Sequence, residues 1–220
     1  MAGQKSLKSQ NAWLIRSALV LHALAFAFVA FEPFVLIQLD RADVLEKLKE
    51  VLAPGSLSLA IIAITKLILL GLIPANVRDR LVHWRWRNPL PGTRAFSKIG
   101  PADTRVNMTA IEQEYGASPV EPKVQNTHFY RIYMKHSDSI PVLDAHKSYL
   151  AARDICVISF LMFLLLPWFA YWITSDLFRT GVYASTLIAA YCLTARSAQV
   201  YSQRLVENSL AAESVVLSDQ

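Results

Sequence analysis

"ICVISFLMFLLLPWFAYWITS", residues 155–175, is a run of 21 residues without one charged side chain. A helix rises about 1.5 Å per residue, so about 20 apolar residues cross the roughly 30 Å of hydrocarbon in a bilayer. The run ends in Trp168, Tyr171 and Trp172, ring types that collect at the membrane–water interface. It reads as a transmembrane helix, and that reading sets the fold class.

Working outward, three further apolar blocks occupy roughly 12–39, 57–77 and 181–195, separated by charged segments. The last is short, but Arg196 behind it is long enough to snorkel to the interface. The whole chain of 220 residues is 54% hydrophobic with a mean hydropathy of +0.32, too apolar for an ordinary soluble domain. The expected fold is an all-α integral membrane protein with four transmembrane helices and a cytoplasmic cap. Its parts are 1–77 (tail and spans one and two), 78–154 (cap segment) and 155–220 (spans three and four and a C-terminal helix). Lys5, Lys8 and the motifs Ala23-Leu-Ala25 and Ala25-Phe-Ala27 imitate a secretory signal, yet the first block runs on to Leu39. A signal core spans only about 7–15 residues, so the block is read as an anchor.

Positive charge orients the bundle. Residues 78–154 hold twelve Lys and Arg, whereas the 176–180 turn holds only Arg179. The positive-inside rule places both termini and the middle segment in the cytoplasm of a multi-pass inner-membrane protein. Trp13 and Tyr149 then fall at the inner interface. Cys156 and Cys192 lie in spans near the reducing side, so no disulfide is expected.

The middle segment is punctuated by Pro89, Pro91 and Gly92, by Gly100 and Pro101, by Gly116, Pro119 and Pro122, and by Pro141. Short helices are predicted over 104–115 and 126–135, with 142–149 leading into the third block and the final helix reaching about Ala212.

The search for chemistry is largely negative. There is no Gly-rich phosphate loop, no G-x-S-x-G, no H-E-x-x-H and no C-x-x-C. His128, His136 and His146 share the cap with Asp138 and Asp144, but sequence gives them no common pocket. No catalytic residue, metal or cofactor is assigned, and a non-enzymatic role is expected. Ionisable groups inside the spans carry more information, since they are costly in hydrocarbon. Glu32 and Lys66 fall at similar depth on blocks of opposite direction and form a candidate intramembrane pair. His22 is a further polar site. The pair either fixes the register of two helices or lines a polar path for ions or protons. Gly181, Ser185 and Ala189 recur every fourth residue and offer a close-packing face for self-association.

"LVHWRWRNPLPG", residues 81–92, follows the second block directly. From Arg78 to Lys98 six cations (Arg78, Arg80, Arg85, Arg87, Arg94 and Lys98) face Asp79 alone. With Trp84 and Trp86 among them, the strip reads as a seat on anionic lipid headgroups or on a protein partner; nucleic acid is not expected.

The stretches "WRNPLPGTRAFSK" (86–98) and "QNTHFYRIY" (125–133), with Arg153-Asp154 opening the third block, look like a signature. In layout, though not in motif, the chain is similar to small bacterial multi-span proteins that act as membrane sensors or effectors in phage-defence and toxin systems. That resemblance implies an oligomeric sensor or effector in antiviral defence that couples a cytoplasmic signal or protein to the membrane. A small channel or transporter using Glu32, Lys66 and His22, and a membrane-bound enzyme with an active site in the cap, stand as alternatives.

Overall fold

The computed structural model of the chain describes residues 7–30, 71 and 73–218. These are helical, with no strand among the described residues. After a single turn over Leu7–Gln10 come α1 (Ala12–Ala30), α2 (Ala75–His83), α3 (Met108–Tyr115), α4 (Pro122–Lys135), α5 (Ile140–Thr174) and α6 (Leu177–Ser218). A 3-10 turn (Pro91–Arg94), a π turn (Ala95–Ile99) and a short α turn (Gly100–Ala102) connect α2 to α3.

Two described helices, α1 and α5, are long and apolar enough to cross a membrane. Of the four expected spans, these two are supported among the described residues. The 181–195 block is part of the 42-residue α6, where Thr180, Ser185, Thr186 and Thr194 dilute its apolar character. Most of the 57–77 block, with Lys66, lies outside the described residues, as does Glu32.

Several boundaries differ from the sequence expectation, each for a local reason. The first cap helix begins at Met108 rather than 104 because the Asn107 Oδ1 accepts from the Ala110 N–H at 3.1 Å and caps it. It ends at Gly116, whose φ of 83° suits a residue without Cβ. The second begins at Pro122, since proline is well suited to a first turn where no N–H partner exists. Pro141 likewise opens α5 instead of interrupting the chain, and Gly100-Pro101 sit within a helical turn. With no proline between Leu177 and Ser218, α6 runs beyond Ala212 to Ser218.

The described residues fall into two compact units. One holds those up to Asn11, together with Ala75–Arg153 and Thr194 onward; the other holds those from Ala12 to Pro74 and Asp154–Leu193. Helices α5 and α6 each contribute to both.

In the first unit Phe96, Ile99, Ile111, Phe129, Ile132 and Val142 pack with Val206 and Leu210 of α6. Gly92 permits the Pro-Leu-Pro-Gly turn to lie on α4: a Cβ there would stand 2.5 Å from the Asn126 Oδ1 and 2.6 Å from the Phe129 ring. Gln125, 1% exposed, ties the same turn down. Its Oε1 accepts from the Phe96 and Ser97 N–H groups, both at 3.2 Å, and its Nε2 donates to the Val120 carbonyl at 3.2 Å. Three backbone groups thereby gain a partner in this side chain.

In the second unit Ile15 and Leu19 of α1 meet Ile158 and Met162 of α5 and Tyr183 and Leu187 of α6. The α5–α6 connection is two residues long. Ser175 takes a left-handed φ of 51°, and the Asp176 Oδ1 accepts from the Arg179 N–H at 2.9 Å. The outer faces remain apolar: Leu21, Leu24 and Phe28 on α1, Trp168 and Trp172 on α5, and Leu177 and Phe178 on α6 are all exposed. Large apolar side chains left exposed in this number suit a lipid or protein environment better than water. Trp13 is exposed as an interfacial ring would be, but Tyr149, assigned to the inner interface from sequence, is buried in the first unit instead. Its hydroxyl finds a carboxylate there, which explains the difference.

Candidate functional site

The basic strip gains its shape from how α2 stops. Trp84 follows the last helical residue in the left-handed region at φ 51°, and Asn88 repeats that conformation at φ 48°. The four residues Trp84, Arg85, Trp86 and Arg87 are consequently thrown outward, and all are exposed. The Arg80 guanidinium lies over the Trp86 ring, 5.8 Å from its centroid. Beyond Asn88 the chain turns inward, and the Thr93 hydroxyl donates to the Leu90 carbonyl at 2.6 Å.

That inward turn brings Arg94, half-buried, back toward His83 at the end of α2. His83 is 8% exposed, and its ring lies 6.2 Å from that of Tyr149. Burial, aided by the positive charges of Arg94 and Arg85, lowers the imidazole to a pKa of about 4, so it is neutral at physiological pH. Burial and Arg85 also lower Arg94. Among the described residues neither the His83 Nε2 nor the Arg94 Nε has a hydrogen-bond partner, and both atoms are buried.

One turn before His83, Asp79 is 8% exposed, and the Tyr149 hydroxyl donates to its Oδ1 at 3.2 Å. Burial raises the carboxyl, against the opposing pull of Arg153, the Tyr149 hydrogen bond and Arg78. Asp79 also borders a groove of about 360 Å³ shared with Asn76, Asn88, Thr93, Lys123 and Asn126. Amide, hydroxyl and carboxylate groups there suit a hydrogen-bonding ligand; no activated nucleophile accompanies them among these lining residues.

Of the strip residues singled out from sequence, Arg94 and Arg85 thus act electrostatically on His83, and Arg80 lies over the Trp86 ring. Arg78 is half-buried beside Asp79, Arg87 is exposed, and Lys98 is exposed on the π turn. The three cap histidines do not converge. The His128 ring meets Phe96 edge-on at 6.4 Å, His146 is hydrogen-bonded to the Tyr133 hydroxyl at 2.8 Å, and His136 pairs with Glu213. Among the described residues no three His, Cys, Asp or Glu side chains are grouped to hold a metal ion. His22 is buried in α1 with its Nδ1 on the Ala18 carbonyl at 2.7 Å, leaving the Nε2 without a hydrogen-bond partner among the described residues. Gly181, Ser185 and Ala189 line an open groove of about 740 Å³ with Leu177, Phe178, Val182 and Thr186.

Sequence reasoning missed a polar lock at the end of α6. Glu213, 2% exposed, receives the Tyr115 hydroxyl of α3, the Lys135 ammonium of α4 at 3.1 Å and His136 just past α4. Burial alone would raise its carboxyl; hydrogen bonds from Tyr115, His136 and Lys135 outweigh that and hold it below the ordinary value of 4.5. Its three contacting residues lie up to 98 positions away along the chain, a separation at which sequence pattern carries no signal.

Comparison with protein-family models, with curated proteins and with solved structures gave no match to this chain.

Proposed function

We propose that the protein is a membrane-anchored, non-enzymatic sensor or effector of the bacterial inner membrane. In this reading the helical unit built on 75–153 and the end of α6 faces the cytoplasm and receives a signal or protein partner there. The apolar unit, self-associated through the Gly181, Ser185 and Ala189 face, responds by altering membrane integrity. The observation that supports it is the continuity of α5 and α6. Each is an unbroken helix with one part packed in the polar unit, where Val142 and Leu210 are fully buried, and another in the apolar unit, where Ile158 and Leu187 are buried. In this reading a change at the Glu213 lock is passed along α6.

The test uses the full chain in dye-loaded proteoliposomes. Glu213→Ala frees the end of α6 from α3 and α4, and it should change dye release at least threefold while hydrogen exchange near Tyr115 and Lys135 rises. Faster exchange with unchanged release would defeat the coupling.

A further inference from the structure

The end of α2, from which the strip Trp84–Arg87 departs, is pinned to α5 and α6. The Gln199 Nε2 of α6 donates to the Val82 carbonyl at 2.8 Å. The Tyr149 hydroxyl of α5 donates to the Asp79 Oδ1 at 3.2 Å, and the Tyr149 ring lies 6.2 Å from that of His83. Nearby on α5, the Lys147 carbonyl accepts from the Asn11 Nδ2 at 2.7 Å. Each of these pins stands just short of apolar chain. Tyr149 is six residues, about 9 Å of helix, before the run that opens at Ile155 on the same helix. Gln199 is four residues, about 6 Å of helix, past the block that closes at Ala195. Asn11 adjoins Ala12, where the first apolar block begins. The strip therefore leaves α2 beside the places where three chain segments pass from polar to apolar.

What leaves there is cationic and aromatic. Trp84 is 54% exposed and Trp86 80%, and Arg85 and Arg87 are exposed with them. The Arg80 guanidinium lies 5.8 Å from the centroid of the Trp86 ring, so a cation and an indole are presented together. No carboxylate occurs from Arg80 to Ala102, which leaves these arginines without an acidic neighbour along the chain.

We propose that Trp84, Arg85, Trp86 and Arg87 dock on the anionic headgroups of the bilayer that α1 and α5 enter. Indole rings settle where headgroup meets acyl chain, and guanidinium forks match phosphate oxygens. The place of the strip favours lipid over a protein or a nucleic acid, because headgroups already stand where chain turns apolar. The proposal rests on the membrane-anchored reading above and adds the lipid class and the residues that meet it.

The experiment reads tryptophan emission of the full chain in nanodiscs that carry lipids brominated near the headgroup. Discs of phosphatidylcholine are compared with discs that also contain phosphatidylglycerol. The emission of wild type minus that of the double variant Trp84→Phe, Trp86→Phe isolates the strip. Its quenching by bromine should be at least twofold greater with phosphatidylglycerol, and about 0.5 M salt should remove most of the difference. Arg85→Gln with Arg87→Gln, both exposed and therefore harmless to folding, should lose the same difference with helical content unchanged. The strip emission being quenched by aqueous acrylamide and not by bromine would overturn the docking and leave a soluble partner as the occupant. Equal quenching in the two kinds of disc, or a lipid dependence that survives both salt and loss of the arginines, would overturn the anionic headgroup. The emission that remains in the double variant comes from Trp13, Trp168 and Trp172. Its quenching by bromine tests the membrane reading by itself, so that failure of the reading and failure of the docking are distinguishable.

Discussion

At Gln125 one side chain does the work of a strand ladder. Its carbonyl oxygen serves the Phe96 and Ser97 N–H groups where the chain passes from a 3-10 to a π turn and regular helix bonding lapses. Gln125→Leu conserves bulk but removes that acceptor, so unfolding free energy should drop by about 2 kcal/mol, with the loss localised to 95–97 by hydrogen exchange. His83 gives a prediction in pH. Its folded pKa of about 4 lies below the unfolded value of 6.5, so the unfolded chain binds the proton more readily as pH falls. The stability associated with neutral His83 is fully present above pH 6.5 and is lost as pH falls toward 4, by up to about 3 kcal/mol. Chemical unfolding at pH 7 and pH 4.5, in neutral detergent without phosphate, should show that slope, and His83→Gln should flatten it. A wild-type slope that survives the substitution would assign it elsewhere. Glu213 acts in the same direction over a lower window: with its folded pKa depressed, its contribution is present above pH 4.5 and lost as pH falls below that.

Among the elements, the end of α2 carries the clearest conflict between local preference and role. A tryptophan at φ 51° pays about 1 kcal/mol or more relative to glycine. Trp84→Gly should therefore raise the melting point of the detergent-solubilised protein by a few degrees while weakening its retention on anionic vesicles. If retention is unchanged, the exposed ring is not a membrane anchor. The turn that follows has the opposite constraint. Gly92→Ala drives a methyl against Asn126 and Phe129 and should destabilise by about 1–3 kcal/mol, read by chemical unfolding.

On the scale of the whole molecule, the two units divide the chemistry: one is rich in buried polar contacts, the other leaves large apolar side chains outside. Reporter fusions at Gly116 and at Asp176 should give cytoplasmic and external signals respectively, and the reverse pattern would sink the proposed orientation. The same asymmetry bears on assembly. Gly181→Leu fills a position where a Cβ meets nothing within 4 Å of this chain, so it should leave monomer folding intact while lowering cross-linked oligomer several-fold. Undiminished cross-linking would remove that face from the interface.

Helical class and the apolar character of 12–30 and 155–175 follow from the sequence alone, because hydrophobic burial depends on local composition and helix bonding on residues four apart. The existence of cap helices near 104–115 and 126–135 was legible for the same reason, as was the break after the Trp84–Arg87 strip at Pro89 and Pro91. What only the tertiary structure decided is which polar groups meet. Glu213 finds Tyr115, Lys135 and His136, and Arg94 returns to His83 rather than joining Arg87 in the open. Such pairs depend on how helices distant in sequence pack, and on residues such as Gly92 in a turn and Gln125 on α4 that aim the chain. Hydropathy and charge spacing contain neither quantity, since both average over neighbours along the chain, while a site is made by neighbours in space.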